Sequence, residues 1–162
     1  MNIAVVGTGY VGLVTGACFS EFGVHVTCVD KLQDKIEALQ RGEIPIYEPG
    51  LDDLVARNTR AGRLAFTTQS AEAIEQALVV FIAVGTPAAP DGSTDLAFVE
   101  SVAREIGQQI DSYKVIVTKS TVPVGTGDKV RAWIQEELDR RGVSVRFSVC
   151  LLYTSPSPRD EQ

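Results

Sequence analysis

The chain has little with which to hold a polyanion or a metal. Lysine and arginine number 15 against 21 aspartates and glutamates, a formal charge of −6. Nucleic acid and anionic membranes are bound through clustered cations, so neither is expected as a partner. There is one histidine, His25, and the three cysteines, Cys18, Cys28 and Cys150, show neither ligand spacing nor an even framework. No metal site is expected, and a reducing compartment would keep the thiols free. No apolar run approaches the ~20 residues of a membrane span, and the chain enters a strand at residue 2 with no basic leader. These absences together point to a cytoplasmic protein. Cys18 shares a helical stripe with Val14 and Phe22, and Cys28 alternates with Val24 and Val26 on one strand face. Both are expected as packed thiols. His25 reads as a strand residue, because nothing near it in sequence would orient it as a base or ligand.

What is present is an ordinary globular composition, 44% hydrophobic and 22% charged over 162 residues, enough for one α/β domain with a sizeable core. The most informative stretch is Gly7-Thr8-Gly9-Tyr10-Val11-Gly12, which follows the apolar run Ile3-Ala4-Val5-Val6 and opens a helical pattern. Gly7 suits a sharp turn, Gly9 lets a diphosphate approach the main chain, and Gly12 lets the helix pack on the strand. Amides at the helix start then face the phosphates. A second apolar strand, Val24 to Val29, ends in Asp30, at about the ~20-residue offset of an acid that holds the adenosine ribose. A carboxylate there accepts ribose hydroxyls and repels a 2′-phosphate, so NAD is expected over NADP. Lys35 falls in the next helix, either near the ribose or as a solvated surface lysine.

The rest of the chain alternates in the same way. A loop, Pro45-Ile46-Tyr47-Glu48-Pro49-Gly50-Leu51, precedes a short helix, a strand from Leu64 and a brief helix that Ser70 could cap. Leu78 to Val84 is continuously apolar, as in a strand covered on both faces. At its carboxyl end stands Gly85-Thr86-Pro87, where open α/β sheets place ligand contacts. A helix from Asp95 and a strand over Val115–Thr118 lead to Ser120-Thr121-Val122-Pro123-Val124-Gly125-Thr126. A last helix then carries Trp133 on its apolar stripe, ends at Gly142, and is followed by a strand from Val143 to Val149. The alternation predicts a doubly wound parallel sheet, a Rossmann-type dinucleotide-binding domain over residues 1–149. Residues 150–162, with two Ser-Pro steps and no periodicity, are expected as an extended or disordered tail.

With these motifs together, residues 1–149 resemble the N-terminal domain of the nucleotide-sugar dehydrogenases. Pro45 to Leu51 and Ser120 to Thr126 are the family-specific stretches, beside the more widespread Gly7–Gly12 turn and Phe81 to Pro87. The resemblance implies that Gly7, Gly9, Tyr10, Val11, Gly12, Asp30, Lys35, Thr86 and Thr121 bind NAD, with Thr121 also an auxiliary catalytic residue near the reacting carbon. It implies oxidation of a sugar C6 alcohol to a carboxylate by two NAD+ in succession, with a cysteine in a later domain capturing the aldehyde. None of Cys18, Cys28 or Cys150 matches that cysteine's motif. Tyr47 favours UDP-glucose as substrate by similarity, GDP-mannose and N-acetylated UDP-sugars being the alternatives. The family's pattern after the last strand, Ser-Asn-Pro-Glu-Phe-Leu, is replaced here by Cys150 onward, which suggests a truncated chain with a foreign or out-of-frame end. Such a chain would bind NAD without oxidising sugar, as would a non-catalytic NAD-binding module. The parent protein is expected to be a homo-oligomer.

Overall fold

A computed structural model describes residues 1–152; residues 153–162, most of the expected tail, lie outside the described residues. Six strands, β1 Asn2–Val6, β2 His25–Val29, β3 Leu64–Thr67, β4 Val79–Ile82, β5 Lys114–Thr118 and β6 Phe147–Leu151, form one sheet. Their order is β3-β2-β1-β4-β5-β6 and every pairing is parallel. Six helices connect them: α1 Tyr10–Glu21, α2 Gln33–Gln40, α3 Leu51–Arg60, α4 Ser70–Gln76, α5 Ala97–Gln109 and α6 Thr126–Arg141. The strand order reverses between β1 and β4, which opens a crevice outside their carboxyl ends.

Alternate strand residues feed two separate cores, which is why the strands read as unbroken apolar runs. On one face Val5, Cys28 and Phe81 meet Leu13, Ile36 and Val55 from α1, α2 and α3. On the other, Ala4, Ile82 and Ile116 meet Val102, Ile106 and Leu138 from α5 and α6. Trp133 packs against this second core, as its place on the stripe predicts. The two long helices are also joined by polar groups. Glu137, 4% exposed, accepts hydrogen bonds from Arg104, Gln108 and Arg140, and the Arg141 guanidinium donates to the carbonyls of Gly107 and Ile110 at the end of α5. Burial alone would push the Glu137 pKa up, but its hydrogen bonds and the neighbouring cations hold it below the ordinary value. No helix among the described residues is long and apolar enough to cross a membrane.

Several expectations change. The last strand begins at Phe147, not Val143, and runs through Leu151, so Cys150 and Leu151 belong to the sheet. Leu151 packs toward Gly127, where an added Cβ would lie 3.2 Å from its Cδ1. Ser70 does not cap α4: the N-cap is Gln69, and the Ser70 hydroxyl donates to the Glu105 carboxylate instead. The inward face of α1 is also different. Cys18 is exposed, Val11 is 41% exposed and Phe22 83% exposed, whereas Gly12, Leu13, Thr15, Gly16, Ala17 and Ser20 are buried. Thr15 and Ser20 tolerate this because their hydroxyls donate back to Val11 and Ala17 carbonyls of the same helix. Cys28 is buried as expected, and desolvation pushes its thiol up to about 12.

Candidate functional site

The glycine turn separates what the fold needs from what it does not. Gly7 leaves β1 with φ +108, and a Cβ there would come within 2.5 Å of the Ala83 carbonyl oxygen. Gly12 is closed in further, its Cβ position lying 1.8 Å from the Gly7 carbonyl oxygen. Both are required by the chain's own packing. Gly9 is not: its φ is an ordinary −72, and no atom beyond its immediate neighbours lies within 4 Å of its Cβ position. Glycine here keeps clear the space in front of the first turn of α1. Gly9 caps that helix without any side-chain hydrogen bond, and the first intrahelical bond runs from the Leu13 amide to the Gly9 carbonyl. The amides of Tyr10, Val11 and Gly12 precede it, at the positive end of the helix dipole.

β2 brings Asp30 to the same edge. Its Oδ2 accepts hydrogen bonds from the Thr8 amide at 3.2 Å, the Thr8 hydroxyl at 2.6 Å and Lys35 Nζ at 3.1 Å, while Oδ1 accepts the Leu32 amide at 3.2 Å. Burial acts to raise the Asp30 pKa, but the bonds from Thr8, Leu32 and Lys35 outweigh it and hold the carboxyl below its ordinary range. Lys35 is therefore ion-paired with Asp30, its side chain 30% exposed, and is not a free surface lysine. These groups line a cleft of about 470 Å³ with Gly7, Gly9 and the apolar side chains of Leu32, Phe98 and Val102. Leu32 and Phe98, 63% and 55% exposed, give the cleft an apolar wall. A larger, shallower hollow of about 960 Å³ runs between α6 and β6 and contains none of the motif residues.

The remaining expected residues stand further along the same sheet edge. The Thr86 hydroxyl donates to the Thr121 carbonyl at 2.7 Å, and the Ser120 hydroxyl to the Val84 carbonyl at 2.6 Å, which ties the turns after β4 and β5 together. Thr86 and Thr121 do not line the Asp30 cleft, although Val84 and Gly85 do. Tyr10 and Val11 are exposed at the start of α1, and the Tyr10 hydroxyl donates to Glu48 of the Pro45–Leu51 loop. Thr8, Glu48, Leu32 and Phe98 were not singled out by sequence reasoning. Thr8 could have been found, since a hydroxyl residue inside the turn faces the tip of the second strand. Phe98 could not, because it lies in a distant helix that only the crossover brings near. No cysteine lines the cleft.

A glycine turn at the switch point of a parallel β3-β2-β1-β4-β5-β6 sheet, with an acid at the tip of the second strand, defines a dinucleotide-binding domain of the Rossmann type. More narrowly, residues 1–155 match the NAD binding domain of the UDP-glucose/GDP-mannose dehydrogenase family, and the chain belongs to that family. It is 53% identical over 146 residues to the UDP-glucose 6-dehydrogenase of Rhizobium meliloti, covering 90% of this chain and 33% of that protein. It is 38% identical over 152 residues to the GDP-mannose 6-dehydrogenase of Pseudomonas aeruginosa, covering 92% of this chain and 35% of that one. A solved UDP-glucose dehydrogenase from the hyperthermophilic archaeon Pyrobaculum islandicum superposes with a TM-score of 0.87 at 39% identity, over 95% of this chain and 36% of that structure's. The chain thus spans about a third of the length of the relatives it matches.

Proposed function

We propose that this chain is the cofactor-binding part of a UDP-glucose 6-dehydrogenase, which oxidises UDP-glucose to UDP-glucuronate at the expense of NAD+. Gly9 carries the cofactor part of this reading, as a glycine that no internal contact or backbone angle explains and that keeps open the approach to three helix-start amides. The amides of Tyr10 and Val11 hold the pyrophosphate, with Gly7, Gly9 and Gly12 shaping the turn. Asp30 and Lys35 hold the adenosine ribose, and Leu32 and Phe98 flank the base. Thr86 and Thr121 stand at the nicotinamide end, where Thr121 orients the reacting groups. Bound NAD+ supplies the hydride acceptor.

The choice of UDP-glucose over GDP-mannose rests on similarity, 53% identity to an enzyme of the first kind against 38% to one of the second. The thiol that would carry an acyl intermediate is assigned to the remaining two-thirds of the full enzyme. Cys28 is buried in the core, where desolvation pushes its thiol up and away from the reactive thiolate, and none of Cys18, Cys28 and Cys150 lines the cleft. The chain alone is therefore expected to bind NAD weakly and to oxidise nothing, since its cleft leaves the nicotinamide end in water. Titration calorimetry with NAD+, followed by absorbance of NADH on incubation with NAD+ and UDP-glucose, tests both parts. Sustained NADH production that tracks this chain would overturn the division of labour, and absence of any NAD+ binding would overturn the cofactor site.

A further inference from the structure

Thr8, between the first two glycines, is 1% exposed although it lines an open cleft together with Gly7, Gly9 and Asp30. Both of its donors converge on one atom. Its amide and its hydroxyl lie 3.2 and 2.6 Å from Asp30 Oδ2, and Lys35 Nζ reaches the same oxygen at 3.1 Å. Asp30 Oδ1 takes only the Leu32 amide, at 3.2 Å. A carboxylate oxygen offers about two lone-pair directions, so three donors fill Oδ2 and the remaining accepting capacity is on Oδ1. Rotating the carboxyl group by half a turn would exchange the oxygens, but any intermediate angle breaks the short, charge-assisted bond from the Thr8 hydroxyl. The shortest of the bonds that set the carboxyl plane is thus the one from the Thr8 hydroxyl, with Lys35 on the same oxygen and the Leu32 amide on the other.

We propose that Thr8 is a positioning residue for cofactor selection: by holding Asp30 Oδ2 it presents Oδ1 to the ribose hydroxyls and keeps the negative charge where a 2′-phosphate would have to sit. The proposal rests on the reading of Asp30 as the ribose-binding acid. Without the Thr8 hydroxyl, Oδ2 keeps only the longer bonds from the Thr8 amide at 3.2 Å and Lys35 at 3.1 Å, and the carboxyl group is free to rotate away from the ribose with the flexible lysine. The acceptor for the ribose is then lost, and with it the repulsion that excludes a phosphate. The discrimination between NAD+ and NADP+ narrows.

The test is titration calorimetry of the 162-residue chain with NAD+ and with NADP+ for Thr8→Val, Thr8→Ser and Asp30→Asn, with a thermal melt of each. Thr8→Val is expected to weaken NAD+ binding about tenfold or more, the equivalent of one hydrogen bond to a charged group, while NADP+ binding changes less than about threefold. Thr8→Ser restores the hydroxyl and is expected to stay within about threefold of the parent for both ligands. Should Thr8→Val melt below the assay temperature, Thr8→Ala removes the same hydroxyl with less steric change. Equal weakening of both ligands by Thr8→Val, no weakening of either, or a Thr8→Ser variant as poor as Thr8→Val overturns the proposal. An unchanged NAD+ to NADP+ ratio in Asp30→Asn overturns the ribose assignment itself, and with it the role of Thr8, whereas a ratio altered in Asp30→Asn but not in Thr8→Val removes Thr8 alone.

Discussion

Glu48 accepts a hydrogen bond from the Tyr10 hydroxyl at 2.7 Å, which fastens the first residue of α1 to the loop between α2 and α3. That loop contains two prolines and no regular structure from residue 43 to residue 50, so few bonds of its own hold it. The Glu48 hydrogen bond, then the charge of the carboxylate, raise the Tyr10 pKa above the ordinary 10.0. Ultraviolet titration of the parent minus Tyr10→Phe is expected to show one phenol ionising above that value, and Glu48→Gln is expected to bring it back down. Hydrogen exchange at residues 44–50 is expected to quicken in both variants. A Tyr10 that titrates identically with and without the Glu48 carboxylate would show that the contact does not persist in solution.

Three alanine substitutions in the turn should give two different results. Gly12→Ala forces a Cβ to 1.8 Å from the Gly7 carbonyl, and Gly7→Ala adds a clash at 2.5 Å to a φ of +108. Each is expected to destabilise the chain by at least the ~1–3 kcal/mol typical of overpacking. Gly9→Ala meets nothing at 4 Å and is expected to melt within about 1 kcal/mol of the parent. Its NAD+ affinity is expected to fall at least tenfold. Normal binding in Gly9→Ala would remove the diphosphate from this loop.

The pH dependence of Asp30 has a definite sign. Its folded pKa lies below the ordinary 3.8, so it contributes stability that is fully present above the unfolded value and is lost as pH falls through the lower folded one. Asp30→Asn is expected to cost about 1–3 kcal/mol near neutral pH, because it weakens charge-assisted bonds from Thr8 and Lys35. Chemical denaturation of parent and variant across pH should show a constant gap above about pH 5 that closes below pH 4. A gap that instead widens toward acid would mean that Asp30 is raised, not lowered.

Thr86 and Thr121 can be told apart because the bond between them uses a side chain of one and the backbone of the other. Thr86→Val removes the donor and is expected to lower stability by about 1 kcal/mol. Thr121→Ala leaves the carbonyl in place and is expected to leave the melting temperature nearly unchanged. In a full-length enzyme carrying this domain, Thr121→Ala is expected to lower kcat. Equal melting shifts in both variants would assign Thr121 an unrecognised structural contact.

Much of this arrangement was legible from residue order, and the failures have physical causes. The unbroken apolar run through Val80, Phe81 and Ile82 identifies a strand covered on both faces, and Asp30 follows from its distance beyond Gly7. The face of α1 was misread because it is built from small residues. Apolar spacing points to Cys18 and Phe22, but close packing on the sheet admits Gly16, whose Cβ would lie 2.5 Å from the Cys28 sulfur, and Ser20, whose hydroxyl is satisfied within the helix. Leu32 and Phe98 belong to different crossovers, and no local pattern marks two residues that meet only across a cleft. Ser70 satisfied the rule for a cap, and a long-range partner, Glu105, took its hydroxyl instead.

The open space at Gly9 also separates two histories that a copy of this gene can have. While the protein must merely fold, purifying selection holds codons 7 and 12 and ignores codon 9, where alanine or serine can settle by drift. If a diphosphate passes over Gly9, as proposed above, a descendant that keeps all three glycines is expected to keep its ligand, and one that has lost only the middle glycine to fold without it.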